Sequence, residues 1–166
     1  MIVVGFTKPL SQATLDTLQL FPYQLTDVSG SDDAYFELLR SWWVSSEEDM
    51  ITLEHDIEPQ PQLIQELLDC HRPWCAALYD FENRHLFGLG LTKFNRVIRA
   101  SVPDLFEQIA PIANENHPPK HWCTLDAHSQ NILHMQSGHA AHLHDHPEWI
   151  KHTSTIRGHA GCRPSQ

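Results

Sequence analysis

The sequence predicts one α/β domain, built on a mostly parallel mixed sheet with helices on both faces. Three observations support this prediction. The chain has 166 residues, 41% of them hydrophobic, which suits a single domain with its own core. Short apolar strands alternate with amphipathic helices. No internal repeat or long linker interrupts the alternation. We expect a compact domain over residues 1–152 and a polar tail over residues 153–166.

The first third of the chain alternates most clearly. The β-branched run Ile2–Phe6 predicts a buried strand. Ser11 is the predicted N-cap of a helix that ends before Pro22. Tyr23–Val28 follows as a second strand, and Ser31 caps a second helix. The apolar stripe of that helix consists of Tyr35, Leu38, Leu39 and Trp42.

In the middle of the chain, a strand delivers acidic residues to its carboxyl end. Met50–Leu53 is the predicted strand, and the acidic segment Glu54–Glu58 follows directly. Pro61 suits the first position of the next helix. Trp74–Tyr79 is a further strand. Because ligands bind at the carboxyl ends of strands in open α/β sheets, the acidic segment lies where a site is expected.

The last third is expected to complete the sheet. Phe94–Ala100 has the composition of a strand, and Asp104 follows at the start of a helix. Asp126 or Ser129 is the predicted start of the last clear helix. Ala141–His144 is the predicted closing strand.

Charge and composition exclude several classes of protein. The formal net charge is −10, which argues against a general binder of nucleic acids or anionic membranes. No apolar run reaches the roughly 20 residues of a membrane helix, and no signal peptide is evident. The four cysteines contain no C-x-x-C pair, so we expect a reduced, cytoplasmic protein. P-loop, dinucleotide-binding and nucleophile-elbow motifs are absent from the sequence.

Glu54-His55-Asp56 is the sharpest chemical signal. On an extended segment, Glu54 and Asp56 place their carboxylates on the same face, where the two charges repel each other. A divalent cation removes that cost, and Mg²⁺ or Mn²⁺ favours oxygen ligands. The alternative interpretation is a solvated loop whose charges favour the start of the helix at Pro61.

Three segments together resemble a compact GT-A glycosyltransferase of the family 2 type, found in bacteria and phages. Glu54-His55-Asp56 resembles the acid-x-acid metal motif. Gly88–Asn95 resembles the acceptor-side segment. His121–Asp126 resembles the region with the acidic residue that acts as the base in inverting enzymes. The resemblance implies a metal-dependent transferase that moves a sugar from a nucleoside-diphosphate sugar to a hydroxyl acceptor. That acceptor would be a glycan, a small molecule or a modified nucleic acid.

The resemblance also implies roles for individual residues. Asp56, with Glu54, would hold Mn²⁺ or Mg²⁺ on the diphosphate, and Asp126 would be the base of an inverting reaction. A late histidine completes the metal shell in some relatives; His144 is the first choice and His142 the second. The residues expected to contact the sugar nucleotide are Asp32, Asp33, Glu54, Lys93 and Trp122.

Each of these assignments has a structural alternative. Asp126 suits a helix N-cap, and Asp32 and Asp33 suit the start of a capped helix. Lys93 forms a basic cluster with Arg96 and Arg99, and this cluster suits a solvated strand edge. His142 and His144 suit a polar loop or a surface metal site. For the whole protein, the alternatives are a sugar-nucleotide binding protein without turnover and a metal-dependent phosphoesterase.

Overall fold

In the computed structural model, which describes residues 1–45, 47–81, 84–113 and 118–153, six strands form the central sheet. In spatial order they are β2 (Tyr23–Asp27), β1 (Ile2–Phe6), β3 (Met50–Glu54), β8 (Leu91–Phe94), β5 (Trp74–Ala77) and β9 (His142–His144). Only β8 runs antiparallel to the others. Two ribbons accompany the sheet: β4 (Ile57–Pro59) with β10 (Ile150–His152), and β6 (Tyr79–Phe81) with β7 (Arg84–Leu86).

Helices cover both faces of the sheet, as expected for this fold class. Alternate side chains of β1 enter opposite cores: Val3 joins one apolar cluster, and Ile2 and Val4 join the other. The Val3 face packs against α2 (Ala34–Ser45), α4 (Arg96–Ser101), α5 (Leu105–Ile109) and α6 (Trp122–Ser137). The opposite face packs against α1 (Gln12–Leu18) and α3 (Pro61–Asp69). The predicted α/β class with a mostly parallel mixed sheet is therefore confirmed.

Local signals locate the starts of α1 and α3 correctly, whereas α2 begins at Ala34, three residues after the predicted cap Ser31. The Ser11 side chain accepts a hydrogen bond of 3.2 Å from the Thr14 backbone N–H at the start of α1. Pro61 occupies the first turn of α3. The strand expected over residues 94–100 is wrong, because Asn95 caps α4 by accepting from the Ile98 backbone N–H at 3.1 Å.

The sheet brings distant segments to one edge. The carboxyl ends of β1, β2 and β3 lie there because these strands are parallel. Since β8 runs the opposite way, its first residue, Leu91, pairs with Leu53 near the end of β3. The loop that precedes β8 therefore lies beside the acidic segment. The antiparallel pairing of β10 with β4 brings the chain around residue 152 to the same place.

Two parts of the predicted organisation lie outside the described residues. The structure describes the chain up to residue 153, so residues 154–166 of the predicted tail lie outside the described residues, whereas Thr153 bonds to the Asp56 carbonyl. The side chain of Trp122 is likewise outside the described atoms, although its backbone begins α6. Within the described residues, no helix has the length and apolar character that crossing a bilayer requires.

Candidate active site

Asp56 lies in the turn between β3 and β4 and is buried. Its backbone carbonyl accepts two hydrogen bonds from Thr153, at 2.8 Å from the N–H and 3.0 Å from the hydroxyl. One carboxylate oxygen, Oδ2, lies 3.6 Å from Nε2 of His152, which is also buried. The other, Oδ1, is buried with no hydrogen-bond partner among the described residues. A buried carboxylate oxygen without a donor is costly, so this atom indicates a ligand.

Asp126 is held by the loop that precedes β8. Its Oδ1 accepts a hydrogen bond of 2.7 Å from the Leu89 backbone N–H. A Cβ on Gly88 would lie 2.6 Å from Asp126 Oδ2, so only glycine fits there without displacing the carboxylate. One turn further along α6, Gln130 donates to the Phe87 carbonyl at 3.1 Å. The loop and the helix thus fix the carboxylate together.

The proposed capping role of Asp126 is wrong. Helix α6 begins at Trp122, four positions before Asp126, so this residue lies inside the helix and not at its start. Its side chain bonds to another segment instead of to its own first turn. The sequence gives no sign of this, because the Asp126–Ser129 spacing looks like a local cap.

Glu54 is the last residue of β3, and its carboxyl interacts electrostatically with both Asp126 and Asp56. Its backbone N–H donates to the Gly90 carbonyl at 3.0 Å, which ties β3 to the same loop. The Tyr35 hydroxyl lies beside its carboxylate. Tyr35 reaches this position over Gly5 at the end of β1, where a Cβ would come within 2.7 Å of the ring. Glycines at positions 5 and 88 therefore leave the room that the Tyr35 ring and the Asp126 carboxylate occupy.

The carboxylates perturb one another electrostatically. Burial raises the pKa of Glu54 well above its usual range, and the charges of Asp126 and Asp56 raise it further, while the Tyr35 hydroxyl opposes the shift. Burial also raises the pKa of Asp126 to about 6; the Leu89 N–H lowers it, and the charge of Asp56 raises it. Perturbed acids grouped at a strand edge are typical of functional sites.

In donor type these residues suit a divalent cation, but among the described residues only Cys70, Cys75 and His144 bring three ligand atoms within 4.8 Å of one another. Three carboxylates repel one another across a poorly solvated space, and a cation would relieve that repulsion. Asp56 Oδ1 supplies an unused buried oxygen, and His152 supplies an imidazole close by. An oxygen-rich set of this kind matches Mg²⁺ or Mn²⁺.

The structure does not bring the predicted histidines to the carboxylates. His144 lies on the edge strand β9, three strands from β3 in the sheet, which is roughly 14 Å at the usual strand spacing. Its Nδ1 lies 2.8 Å from Oε1 of Glu66. His142 is exposed on the same strand. The late histidine beside the acidic motif is His152, and no spacing rule in the sequence singles it out.

Lys93 does not reach the carboxylates either. It is buried, and its Nζ donates to the carbonyls of Leu68 and Cys70 at 2.8 and 2.9 Å and pairs with Asp49 at 3.3 Å. Its neighbour Arg99 is also buried and donates to the Trp42 carbonyl at 3.1 Å. These cations satisfy backbone carbonyls, so they form neither a diphosphate site nor a solvated strand edge.

Asp32 and Asp33 lie on the correct edge of the sheet. They follow β2. This strand is parallel to β3, so the carboxyl ends of both strands lie at the same edge of the sheet. Asp33 accepts from the Ser31 hydroxyl at 2.5 Å, and this bond lowers the pKa of Asp33. Asp32 is exposed. Their contact with a nucleotide stays a prediction.

Solved structures were found that are similar to this chain at low sequence identity. A glycosyltransferase involved in the glycosylation of the major capsid of PBCV-1 matches with a TM-score of 0.52 and 11% identity, over 87% of this chain and 81% of that one. A197 from STIV matches with a TM-score of 0.48 and 12% identity, over 91% and 84%. No protein-family model matches the chain, and no curated protein sequence matches it significantly. The chain thus shares its overall fold with this glycosyltransferase at low identity, and no comparison singles out family 2.

Proposed function

We propose that this protein is a metal-dependent glycosyltransferase that uses a nucleoside-diphosphate sugar as its donor. The observation that carries the proposal is the buried Oδ1 of Asp56, which has no hydrogen-bond partner among the described residues, together with the charge interactions that link Asp56 to Glu54 and Asp126. The fold shared with a glycosyltransferase supports the same conclusion at the level of architecture.

Asp56 and Glu54 would hold the cation, and His152 adjoins them through its contact with Asp56. A bound Mn²⁺ or Mg²⁺ would supply Lewis-acid stabilisation of the charge on the departing nucleoside diphosphate. Asp32 and Asp33 follow the neighbouring strand β2, where the nucleoside end of the donor would lie. The carboxylates given these roles all follow, or end, strands whose carboxyl ends lie at the same edge of the sheet.

Asp126 is the proposed general base. Its pKa of about 6 makes it a stronger proton acceptor than an ordinary aspartate while leaving it ionised at neutral pH. The Leu89 N–H holds Oδ1, which leaves Oδ2 to take the proton of the acceptor hydroxyl. The acceptor oxygen then bonds to the anomeric carbon as the bond from that carbon to the phosphate oxygen breaks. Such a direct displacement inverts the anomeric configuration.

Titration with a panel of sugar nucleotides tests the proposal. Calorimetry should detect donor binding with Mn²⁺ and none without a divalent cation. Addition of acceptors should release nucleoside diphosphate. The matched variant is Asp56→Asn, which keeps the shape of the side chain but removes its charge; its folded state should persist while metal-dependent binding is lost.

Three results would contradict the proposal and identify an alternative. Donor binding that Mn²⁺ does not affect, in wild type and in Asp56→Asn alike, would remove the metal role. Donor binding without release of nucleoside diphosphate, with every acceptor in a broad panel, would indicate a binding protein. Cleavage of simple phosphate esters without sugar transfer would indicate a phosphoesterase.

A further inference from the structure

A second group of metal-ligating side chains lies away from the carboxylates. Cys70 follows α3, Cys75 lies on β5 and His144 lies on β9. One ligand atom from each residue lies within 4.8 Å of the other two. Cys75 and His144 are buried, Cys70 is half-buried, and Cys70 and Cys75 are free thiols.

The orientation of the His144 ring points to a ligand. The His144 side chain is only 4% exposed, and Nδ1 lies 2.8 Å from Glu66 Oε1. The second carboxylate oxygen of Glu66 lies 3.0 Å from Nε2 of His146, which fixes the carboxylate from the other side. Nε2 of His144 is buried with no hydrogen-bond partner in the described part of the chain. When Nδ1–H donates to a carboxylate, the lone pair of Nε2 is available, as in most metal-binding histidines.

The backbone explains why these residues meet. Cys70 ends α3, with its N–H bonded to the Leu67 carbonyl at 3.3 Å. Strands β5 and β9 are parallel neighbours, with Cys75 beside His142 and Ala77 beside His144. Lys93 donates to the Cys70 carbonyl at 2.9 Å, which anchors this residue and brings a positive charge near the thiols. Burial raises the pKa of the Cys75 thiol and the Lys93 charge opposes that rise, so a bound metal ion would have to displace the thiol proton.

We propose that Cys70 Sγ, Cys75 Sγ and His144 Nε2 bind one Zn²⁺ ion, with Glu66 as the carboxylate that orients His144. Sulfur and imidazole ligands select zinc over Mg²⁺ or Mn²⁺. In a tetrahedral zinc site the ligand atoms are about 3.5–3.8 Å apart, so small side-chain movements close the observed arrangement. Solvent takes the fourth position. The ion would join the edge strand β9 to β5 and α3.

This inference does not rest on the proposed function. The carboxylate site uses hard oxygen ligands near Asp56, whereas this site uses thiolates and an imidazole on the far side of β8. Asp56→Asn should therefore lose Mn²⁺-dependent donor binding and keep zinc. Zinc binding can fail while donor binding persists, and the reverse also holds.

Metal analysis and cobalt substitution test the site directly. Protein purified anaerobically without chelator should contain about one Zn²⁺ per chain by mass spectrometry of the metal. The apoprotein with Co²⁺ should show sulfur-to-cobalt charge transfer in the near ultraviolet and the visible bands of tetrahedral cobalt. Cys70→Ser, at the half-buried ligand, should abolish the charge transfer of one thiolate and weaken zinc binding by at least about tenfold, while circular dichroism confirms folding.

Two further variants keep the proposal falsifiable if a ligand variant fails to fold. Glu66→Gln leaves all three ligands in place and should weaken zinc binding by about 10- to 100-fold. His139→Ala alters an exposed histidine and should change nothing. The proposal would be overturned if the purified protein contained no zinc and the protein with Co²⁺ showed no sulfur-to-cobalt charge transfer. Unchanged zinc affinity in Cys70→Ser, or a Cys70–Cys75 disulfide in the anaerobic protein, would overturn it as well.

Discussion

Asp126 and Leu89, 37 residues apart in sequence, are joined by a hydrogen bond of 2.7 Å from the Leu89 backbone N–H to the Asp126 carboxylate. This bond attaches a side chain of α6 to the loop before β8. The same loop contacts Glu54 through the Gly90 carbonyl. The position of the proposed base relative to the proposed metal ligands therefore depends on the loop as much as on the helix.

Asp126→Asn should separate catalysis from folding. The amide oxygen can still accept from Leu89, but it cannot take a proton from the acceptor hydroxyl. We expect transfer to fall by about 10²–10⁴ while donor affinity and melting temperature at pH 7 do not decrease. Steady-state kinetics, calorimetry and thermal unfolding of the same preparation measure all three. Transfer near the wild-type rate would leave Asp126 a structural residue.

The pH dependence of stability should report the raised pKa of Asp126. The pKa of Asp126 is about 6 in the folded state and 3.8 as the ordinary value, so the folded state binds the proton more tightly. Its contribution to stability is fully present below about pH 4 and is lost as the pH rises through about 6. Urea unfolding between pH 4 and 7, without Mg²⁺ or Mn²⁺, should show a steeper decline for wild type than for Asp126→Asn. Parallel curves would contradict the shifted pKa.

Gly88→Ala should disturb the site without unfolding the chain. The new Cβ would meet Asp126 Oδ2 at 2.6 Å, and the carboxylate would have to move. Since a small displacement of a catalytic group is costly, we expect transfer to fall by about 10²-fold. Gly30→Ala is the matched control, because nothing lies within 4 Å of its added Cβ. Equal activity of the two variants would show that the Gly88 contact is unimportant.

Histidine variants should distinguish the two metal sites. His152→Ala removes the imidazole that lies 3.6 Å from Asp56 and should weaken Mn²⁺ binding by about tenfold. His144→Ala should leave Mn²⁺ affinity unchanged, because His144 bonds to Glu66 three strands away. Calorimetric titration with Mn²⁺ measures both. A loss of Mn²⁺ affinity in His144→Ala alone would restore the original sequence-based assignment.

Lys93→Met should affect stability more than donor binding. The variant leaves the carbonyls of Leu68 and Cys70 without their ammonium donor, at a cost of about 1–3 kcal/mol in the free energy of unfolding. Donor affinity should stay at the wild-type value. Arg96→Ala, at an exposed residue, should change the stability by less than about 0.5 kcal/mol. Urea unfolding measures the stability of the variants, and donor titration measures their affinity. Weakened donor binding in Lys93→Met at wild-type stability would indicate that Lys93 contacts a phosphate of the donor.

Local signals in the sequence predicted much of the sheet and the early helices. Ser11 and Pro61 each act within one turn, so neighbouring residues decide their structure. The segment after Phe94 misled the prediction, because β-branched Val97 and Ile98 suggest a strand. The Asn95 cap favours a helix, and in that helix Ile98 is buried while Val97 is exposed.

The site was predictable only where it follows one strand. Glu54 and Asp56 end a recognisable strand, so their position followed from the rule for α/β sheets. His142 and His144 share a strand face, but the sequence does not say which face is buried. The structure turns His144 inward and leaves Leu143 38% exposed, because Glu66 supplies a partner from another element. Such long-range choices leave no local pattern.

The pairing of β10 with β4 sets an order of assembly for the site. Thr153 bonds to Asp56 across 97 residues, so this contact requires the closure of a long loop. The neighbouring strands β1, β2 and β3 come from the first 54 residues of the chain. During synthesis, the carboxylates of β3 and its turn would emerge well before the imidazole of His152. A growing chain would therefore acquire an acidic half-site early and its histidine only when the last strand docks.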